Sequence, residues 1–196
     1  RSNSMKLLLA GMALSAVCGA FSSFIVYFAN NKEGMQTIAY WMMGSLAGAQ
    51  WGELMVIVPI IIASVIFFWT QSRVLNLMLL GDESAITMGT DLHVYRQWYL
   101  LISSLIVGFA VYSAGMIGFV GLIIPHVIRM FTGPDHKRLI PVSALTGAIF
   151  LVICDGLCRV IIPHTELPIG ILISMIGAPC FIYLMIKKTY GFGGND

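Results

Sequence analysis

The sequence predicts an all-α fold, a polytopic membrane helical bundle with six transmembrane helices. Three observations carry this. Hydrophobic residues make up 58% of the 196-residue chain and charged residues only 10%, whereas soluble domains carry about 25% charge. Apolar stretches of roughly membrane length recur along the chain, and the turns between them hold most of the charges. Basic residues gather at alternate turns, as they do in multi-pass proteins inserted in one orientation. Residues 5–188 read as a single transmembrane domain. Residues 1–4 (RSNS) read as an expression remnant or a truncation point, and 189–196 as a loose tail.

The first span is 7–28, about the length a spanning helix needs. Gly11, Ser15, Gly19 and Ser23 recur in it at every fourth position, which sets a stripe of small side chains on one face. Such a stripe serves either close helix packing or the wall of a pore. Residues 30–34 (NNKEG) form the turn out of the membrane. The stretch 35–52 is apolar but interrupted by Gly44, Gly48 and Gly52, so it reads as a short interfacial or re-entrant helix with Trp41 and Trp51 at the membrane surface. The second span is 53–70, where Pro59 predicts a kink.

Residues 76–91 (NLMLLGDESAITMGTD) cannot sit in hydrocarbon. Leucines precede Gly81, and Ala85, Ile86 and Met88 precede Gly89, so each half reads as a short helix stopped by a glycine. This is either a compact docking knuckle for a soluble partner or an ordinary surface loop. The third span is 93–115, anchored by Arg96, Trp98 and Tyr99. The fourth, 116–131, is short, starts around Gly118 and Gly121 and is interrupted by Pro125. A charged turn, 132–138, leads to the fifth span, 139–160, and the loop 162–168 leads to the sixth, 169–186, which contains Gly170, Gly177 and Pro179.

With six spans, Lys6, Arg73, Arg96, Arg129, Lys137, Arg138, Lys187 and Lys188 share one side, while the other has Lys32 and, near its edge, Arg159. The positive-inside rule makes the crowded side cytoplasmic. Both termini and the knuckle then face the cytoplasm. The net charge of +2 is thus a statement about orientation, and no nucleic acid is expected as a partner.

Candidate chemistry is sparse. Asp155 and Arg159 are four apart in the fifth span and can pair on one helix face; an ionisable pair there is either a structural contact near the outer boundary or a functional one. His93, His136 and His164 lie in turns on opposite sides of the membrane and cannot join His126 on one ion, so no metal centre is expected. Cys18, Cys154, Cys158 and Cys180 lie in apolar segments without a CxxC pair, as packed thiols do. No phosphate-binding loop is present, and nothing ties Ser, His and Asp into a triad. The chain is expected to have no catalytic residues and no cofactor. Gly118, Gly121 and Pro125 in the fourth span, with Gly170, Gly177 and Pro179 in the sixth, match the broken helices of transporters and equally serve close packing.

Three blocks carry a resemblance: LLGDESAITMG at 79–89, GMIGFVGLIIPHVIRMFTGPDHKRLIP at 115–141 and ELPIGILISMIGAP at 166–179. With YWMMGSLAGAQW at 40–51, they resemble the permease subunit of binding-protein-dependent ABC importers for iron–siderophores, haem and cobalamin, the cobalamin permeases especially. The resemblance covers essentially the whole chain after Ser4. Family members have ten spans, and this chain resembles only the fifth to the tenth.

The resemblance implies a role for each matching position. The knuckle would supply the short cytoplasmic coupling helices that dock into an ATP-binding cassette ATPase, through Leu80, Gly81, Glu83, Ala85, Met88 and Gly89. Arg159 would receive an acidic residue of an extracytoplasmic substrate-binding protein. Gly11, Ser15, Gly19 and Ser23 would face Gly170, Ser174 and Gly177 along a translocation path at the axis of a homodimer.

The expected function is that of a permease fragment in the lipid bilayer of a bacterial cytoplasmic (inner) membrane. It would move a ferric siderophore, haem or cobalamin by alternating access, with ATP hydrolysis left to a separate subunit, so the chain is not itself an enzyme. A second reading is a non-transporting half-permease that acts as an oligomeric scaffold; a self-sufficient ion-coupled carrier would require a buried acid near mid-membrane, which Asp155 does not supply.

Overall fold

The structure is a computed structural model that describes residues 2–190, with side chains described over 5–187. The readings of residues 1–4 as a remnant and of 189–196 as a tail therefore fall largely outside the described residues. The chain divides into two compact units, one up to Tyr40 and one from Trp41 onward.

In the first unit, α1 (Ser2–Ala29) is a single helix of 28 residues, about 42 Å long at the usual rise. Asn30 ends it in the left-handed region, at φ 45°. Asn31 then starts α2 (Lys32–Met43): its side-chain oxygen accepts from the Glu33 N–H at 3.1 Å, satisfying a donor that the helix itself leaves free.

The second unit holds α3 (Trp51–Thr70), α4 (Ser72–Leu80), α5 (Asp82–Thr87), α6 (Leu92–Ala114), α7 (Val120–Thr132), α8 (His136–Ile161) and α9 (Ile169–Tyr190). The described residues contain no strand. The all-α expectation therefore holds. Among the described residues five helices are long and apolar enough to cross a membrane: α1, α3, α6, α8 and α9.

The expected fourth span is α7, and it is shorter than 116–131. Residues 116–119 approach it without helical structure, Phe119 sits at φ 65°, and 13 helical residues follow. That is about 20 Å, short of a hydrocarbon layer of about 30 Å. At the other end of the same connection, α8 begins three residues earlier than expected, at His136. Asp135 caps it by accepting from the Lys137 N–H at 3.0 Å. Proline does not end any of these elements: α3 runs through Pro59, α7 through Pro125, α8 through Pro141 and α9 through Pro179.

The core of this unit forms around Cys154 and Cys158 of α8 and Ile169 and Ile173 of α9, with Phe150, Ile117, Phe119 and Leu46 packed against them. Two irregular stretches, one after α2 and one after α6, are sealed together there. The Ser45 N–H donates to the Ala114 carbonyl at 2.8 Å. Gly44 and Gly115 both have positive φ, and a Cβ on Gly115 would collide with the Trp41 carbonyl. Only residues without a side chain let these backbones approach so closely. The expected re-entrant reading of 35–52 resolves into a regular helix to Met43 and an irregular passage into α3.

Candidate functional site

The knuckle predicted at 76–91 folds as an elbow of α4 and α5. Gly81, at φ 92° and ψ 165°, turns the chain between them. Gly89, at φ 77°, ends the second arm. Its N–H donates to the Ile86 carbonyl at 2.9 Å and the Thr90 N–H to the Ala85 carbonyl at 3.0 Å, the double bond pattern of a glycine-terminated helix.

Three ties fix the elbow to the bundle. Near the start of α4, the Tyr99 hydroxyl donates to Gln71 Oε1 at 2.7 Å. Tyr99 is itself held edge-on against Phe68 at 5.6 Å. In mid-helix, Asn76 Nδ2 donates to Asp135 Oδ1 at 2.9 Å, while Asn76 Oδ1 accepts from the His136 backbone N–H at 2.9 Å and from His136 Nδ1 at 2.7 Å. The acceptor oxygen fixes the proton on Nδ1. Beyond the bend, Arg96 of α6 pairs with Asp82 of α5 at 2.8 Å, the two side chains being 35% and 61% exposed.

The carboxylates respond accordingly. The hydrogen bond from Arg96, and then its charge, hold Asp82 below the ordinary carboxylate range. The Asn76 amide, followed by the Lys137 backbone N–H, does the same for Asp135.

Part of the elbow's outer surface is apolar. Leu80, Ile86 and Met88 are each 60% exposed or more, and Glu83 beside them is exposed. Ala85 is different. It is fully buried, so in this chain its side chain packs beneath the elbow and is not on its surface. Ile86, absent from the expected set, is the most exposed apolar residue of the elbow. Its position next to Ala85 on a helix, where adjacent residues point about 100° apart, is the signal that assigns one inward and the other outward. Asn76 also lies outside the expected set, although a lone amide in the run LNLMLL marks a helix that must satisfy a polar neighbour.

At the opposite end of α8, Arg159 Nε donates to Asp155 Oδ2 at 3.0 Å, with half of the arginine side chain exposed. The expected i, i+4 pair is thus formed, in the last turn of the helix, where a cation also suits the helix dipole.

The residues expected along a translocation path divide. On α1, Gly11, Ser15, Gly19 and Ser23 are exposed, and a side chain added at Gly11 or Gly19 would meet nothing within 4 Å. On α9, Ser174 is exposed, but Gly170 and Gly177 are buried. A Cβ on Gly170 would overlap the Met43 carbonyl, and one on Gly177 would lie 2.8 Å from the Phe119 Cβ. The faces of these two glycines are filled by protein within this chain. His126 lines a cavity of about 240 Å³ with Leu122, Phe181, Leu184 and Met185. Among the described residues no three His, Cys, Asp or Glu side chains converge as metal ligands would.

Residues 1–187 match the FecCD transport family. The chain belongs to that family. It is 40% identical over 186 residues to the hemin transport system permease protein HmuU of Yersinia pestis, covering 95% of this chain and 55% of that protein. To the cobalamin import system permease protein BtuC of Halobacterium salinarum it is 41% identical over 179 residues, covering 91% and 47%. To the Fe(3+) dicitrate transport system permease protein FecD of Escherichia coli it is 38% identical over 183 residues, covering 93% and 57%. A solved inward-facing structure of a metal-chelate type ABC transporter superposes with a TM-score of 0.85 at 34% identity, over 91% of this chain and 58% of that one. The chain therefore spans about half the length of the FecCD relatives it matches, and the resemblance read from its motifs extends across nearly all of it.

Proposed function

We propose that this chain forms the C-terminal part of an ABC importer permease that moves a large metal chelate or corrinoid (ferric siderophore, haem or cobalamin) across the bacterial inner membrane. The relatives' own cargoes, hemin, cobalamin and ferric dicitrate, support that range. The hydrolytic chemistry resides in a separate ATPase subunit, and this chain supplies the moving path.

The observation that carries the reading is the elbow. An apolar surface of Leu80, Ile86 and Met88 is presented by two short helices pinned to α3, α6 and α8. A flexible loop would dissipate a push; this one is anchored along its length. ATP-driven closure of two ATPases on a permease homodimer would move the elbows and rock the spans, alternating access to a central path bordered by Gly11, Ser15, Gly19, Ser23 and Ser174. Glu83 flanks the contact, and Gly81 and Gly89 set its bends. At the outer end, Arg159 receives an acidic group of a substrate-binding protein, with Asp155 orienting it. Both termini lie on the cytoplasmic side, as the basic residues near the elbow suggest.

Reconstitution tests this. Met88→Lys combined with Glu83→Lys in the complete transporter, placed in vesicles with ATPase and binding protein, is expected to uncouple hydrolysis from uptake. Retention of wild-type uptake per ATP hydrolysed would refute the docking assignment.

A further inference from the structure

We infer that Asn76 is the positioning residue through which elbow movement enters α8, making α8 a rod that links the inner docking surface to Arg159 at the outer end. The inference rests on the proposed ATPase docking at the elbow.

Asn76 lies in the middle of α4, half-buried, and its amide is used at both ends. Its nitrogen donates to the Asp135 carboxylate, and its oxygen accepts two N–H groups of His136. Asp135 is the cap of α8 and His136 its first residue. A shift of α4 therefore acts on the start of α8 directly, without passing through a loop. Trp69 of α3 adds a further tie there, donating from Nε1 to the Lys137 carbonyl at 2.9 Å.

From that point α8 is helical without a break for 26 residues, about 39 Å, and Arg159 lies two residues from its end. The alternative route out of the elbow is the Asp82 pair with Arg96. That pair is a single exposed ion pair, screened by salt; the clasp, whose Asp135 bond is exposed as well, adds two part-buried bonds to His136. The better-formed mechanical connection is the amide clasp.

The geometry predicts a specific rescue. Asn76→Asp sets a carboxylate against Asp135 and breaks the clasp by repulsion. Adding Asp135→Asn removes the repulsion and restores the bond between positions 76 and 135 with donor and acceptor exchanged, at the expense of the Lys137 cap, because a single oxygen, Asp135 Oδ1, accepts from both Asn76 and the Lys137 N–H. The amide introduced at position 135 donates from its nitrogen to the carboxylate introduced at position 76. The carboxylate at position 76 still accepts from His136, while the Lys137 N–H gives up its side-chain acceptor.

The test uses the complete transporter in vesicles with its ATPase and binding protein. Asn76→Asp is expected to keep the ATPase associated and its basal hydrolysis near the wild-type rate. The increment stimulated by the binding protein, and uptake with it, should fall by about five-fold or more, the lower end of typical coupling between sites. The double variant, which regains the bond between positions 76 and 135 but not the Lys137 cap, should recover part of both. Unchanged stimulation in Asn76→Asp, or no recovery in the double variant, overturns the inference. Should Asn76→Asp fail to accumulate, Asn76→Ala provides the same split between basal and stimulated hydrolysis without adding a charge. Loss of ATPase association belongs to a different failure: if Met88→Lys leaves association and uptake intact, the docking reading itself is wrong.

Discussion

Gly170, at the second position of α9, faces the carbonyl of Met43 so closely that a methyl group there would overlap it. The contact joins the start of the last span to the end of α2 and explains why the chain carries no side chain at this point. It also ties the core around Ile169 and Ile173 to backbone geometry rather than to side-chain packing alone.

Gly170→Ala is therefore expected to destabilise the bundle by about 1–3 kcal/mol, the usual cost of overpacking a close contact. Thermal unfolding in detergent measures this. Ser174→Ala, one turn further along on an exposed face, is the control and is expected to leave the midpoint unchanged.

At the elbow, adjacent residues are expected to behave differently. Ile86→Lys places a charge on the most exposed apolar position and should weaken ATPase association by about ten-fold, as loss of an interfacial anchor commonly does, while thermal stability stays near wild type. Ala85→Leu overfills a buried site and should lower stability first. Co-purification with the ATPase, compared with the unfolding midpoint of the permease alone, separates the two.

Arg159→Glu is expected to weaken association of the binding protein, with the largest difference at low ionic strength, where charge complementarity acts over the greatest distance. Asp155→Asn removes the orienting partner but keeps the cation, so its effect should be smaller and less salt-dependent. Equal binding by all three proteins across a salt series would leave Arg159 with a structural role only.

The two carboxylates at the cytoplasmic face give a pH dependence of known sign. Asp82 and Asp135 are both held below their ordinary value of 3.8 in the folded protein. A depressed carboxylate contributes stability that is complete above its unfolded pKa and is lost as pH falls through the folded one. The ties they make are thus unchanged between neutral pH and mild acid, and weaken only below about pH 3.8. The difference in stability between wild type and Asp135→Asn should shrink as pH falls below about 3.8.

Much of this was legible in the sequence. The long apolar runs fix where α1, α3, α6, α8 and α9 lie, because period and length dominate in hydrocarbon. The two glycine stops at Gly81 and Gly89 were visible for the same reason that the structure uses them, a backbone turn at positive φ. What composition cannot reveal is which glycines face an open space. Gly170 and Gly177 share a helix with Ser174 and have the spacing of a small-residue stripe, yet a carbonyl and a phenyl ring fill their faces. Likewise, Ala85 and Ile86 differ in role by a rotation that only packing decides, and the bond from Asn76 to Asp135 joins residues 59 apart, beyond the reach of any local pattern.

The continuity of α8 carries a consequence for how this family can vary. Each residue of a helix turns the chain by about 100°, so one residue gained or lost between Leu139 and Asp155 would swing Arg159 away from its azimuth while its inner end stayed fastened. Length changes here are tolerable only in near-integral turns. The spacing from Asp135 to Arg159 is accordingly a ruler set by screw symmetry, and homologues that dock comparable outer partners should hold it more strictly than the identities of the residues between.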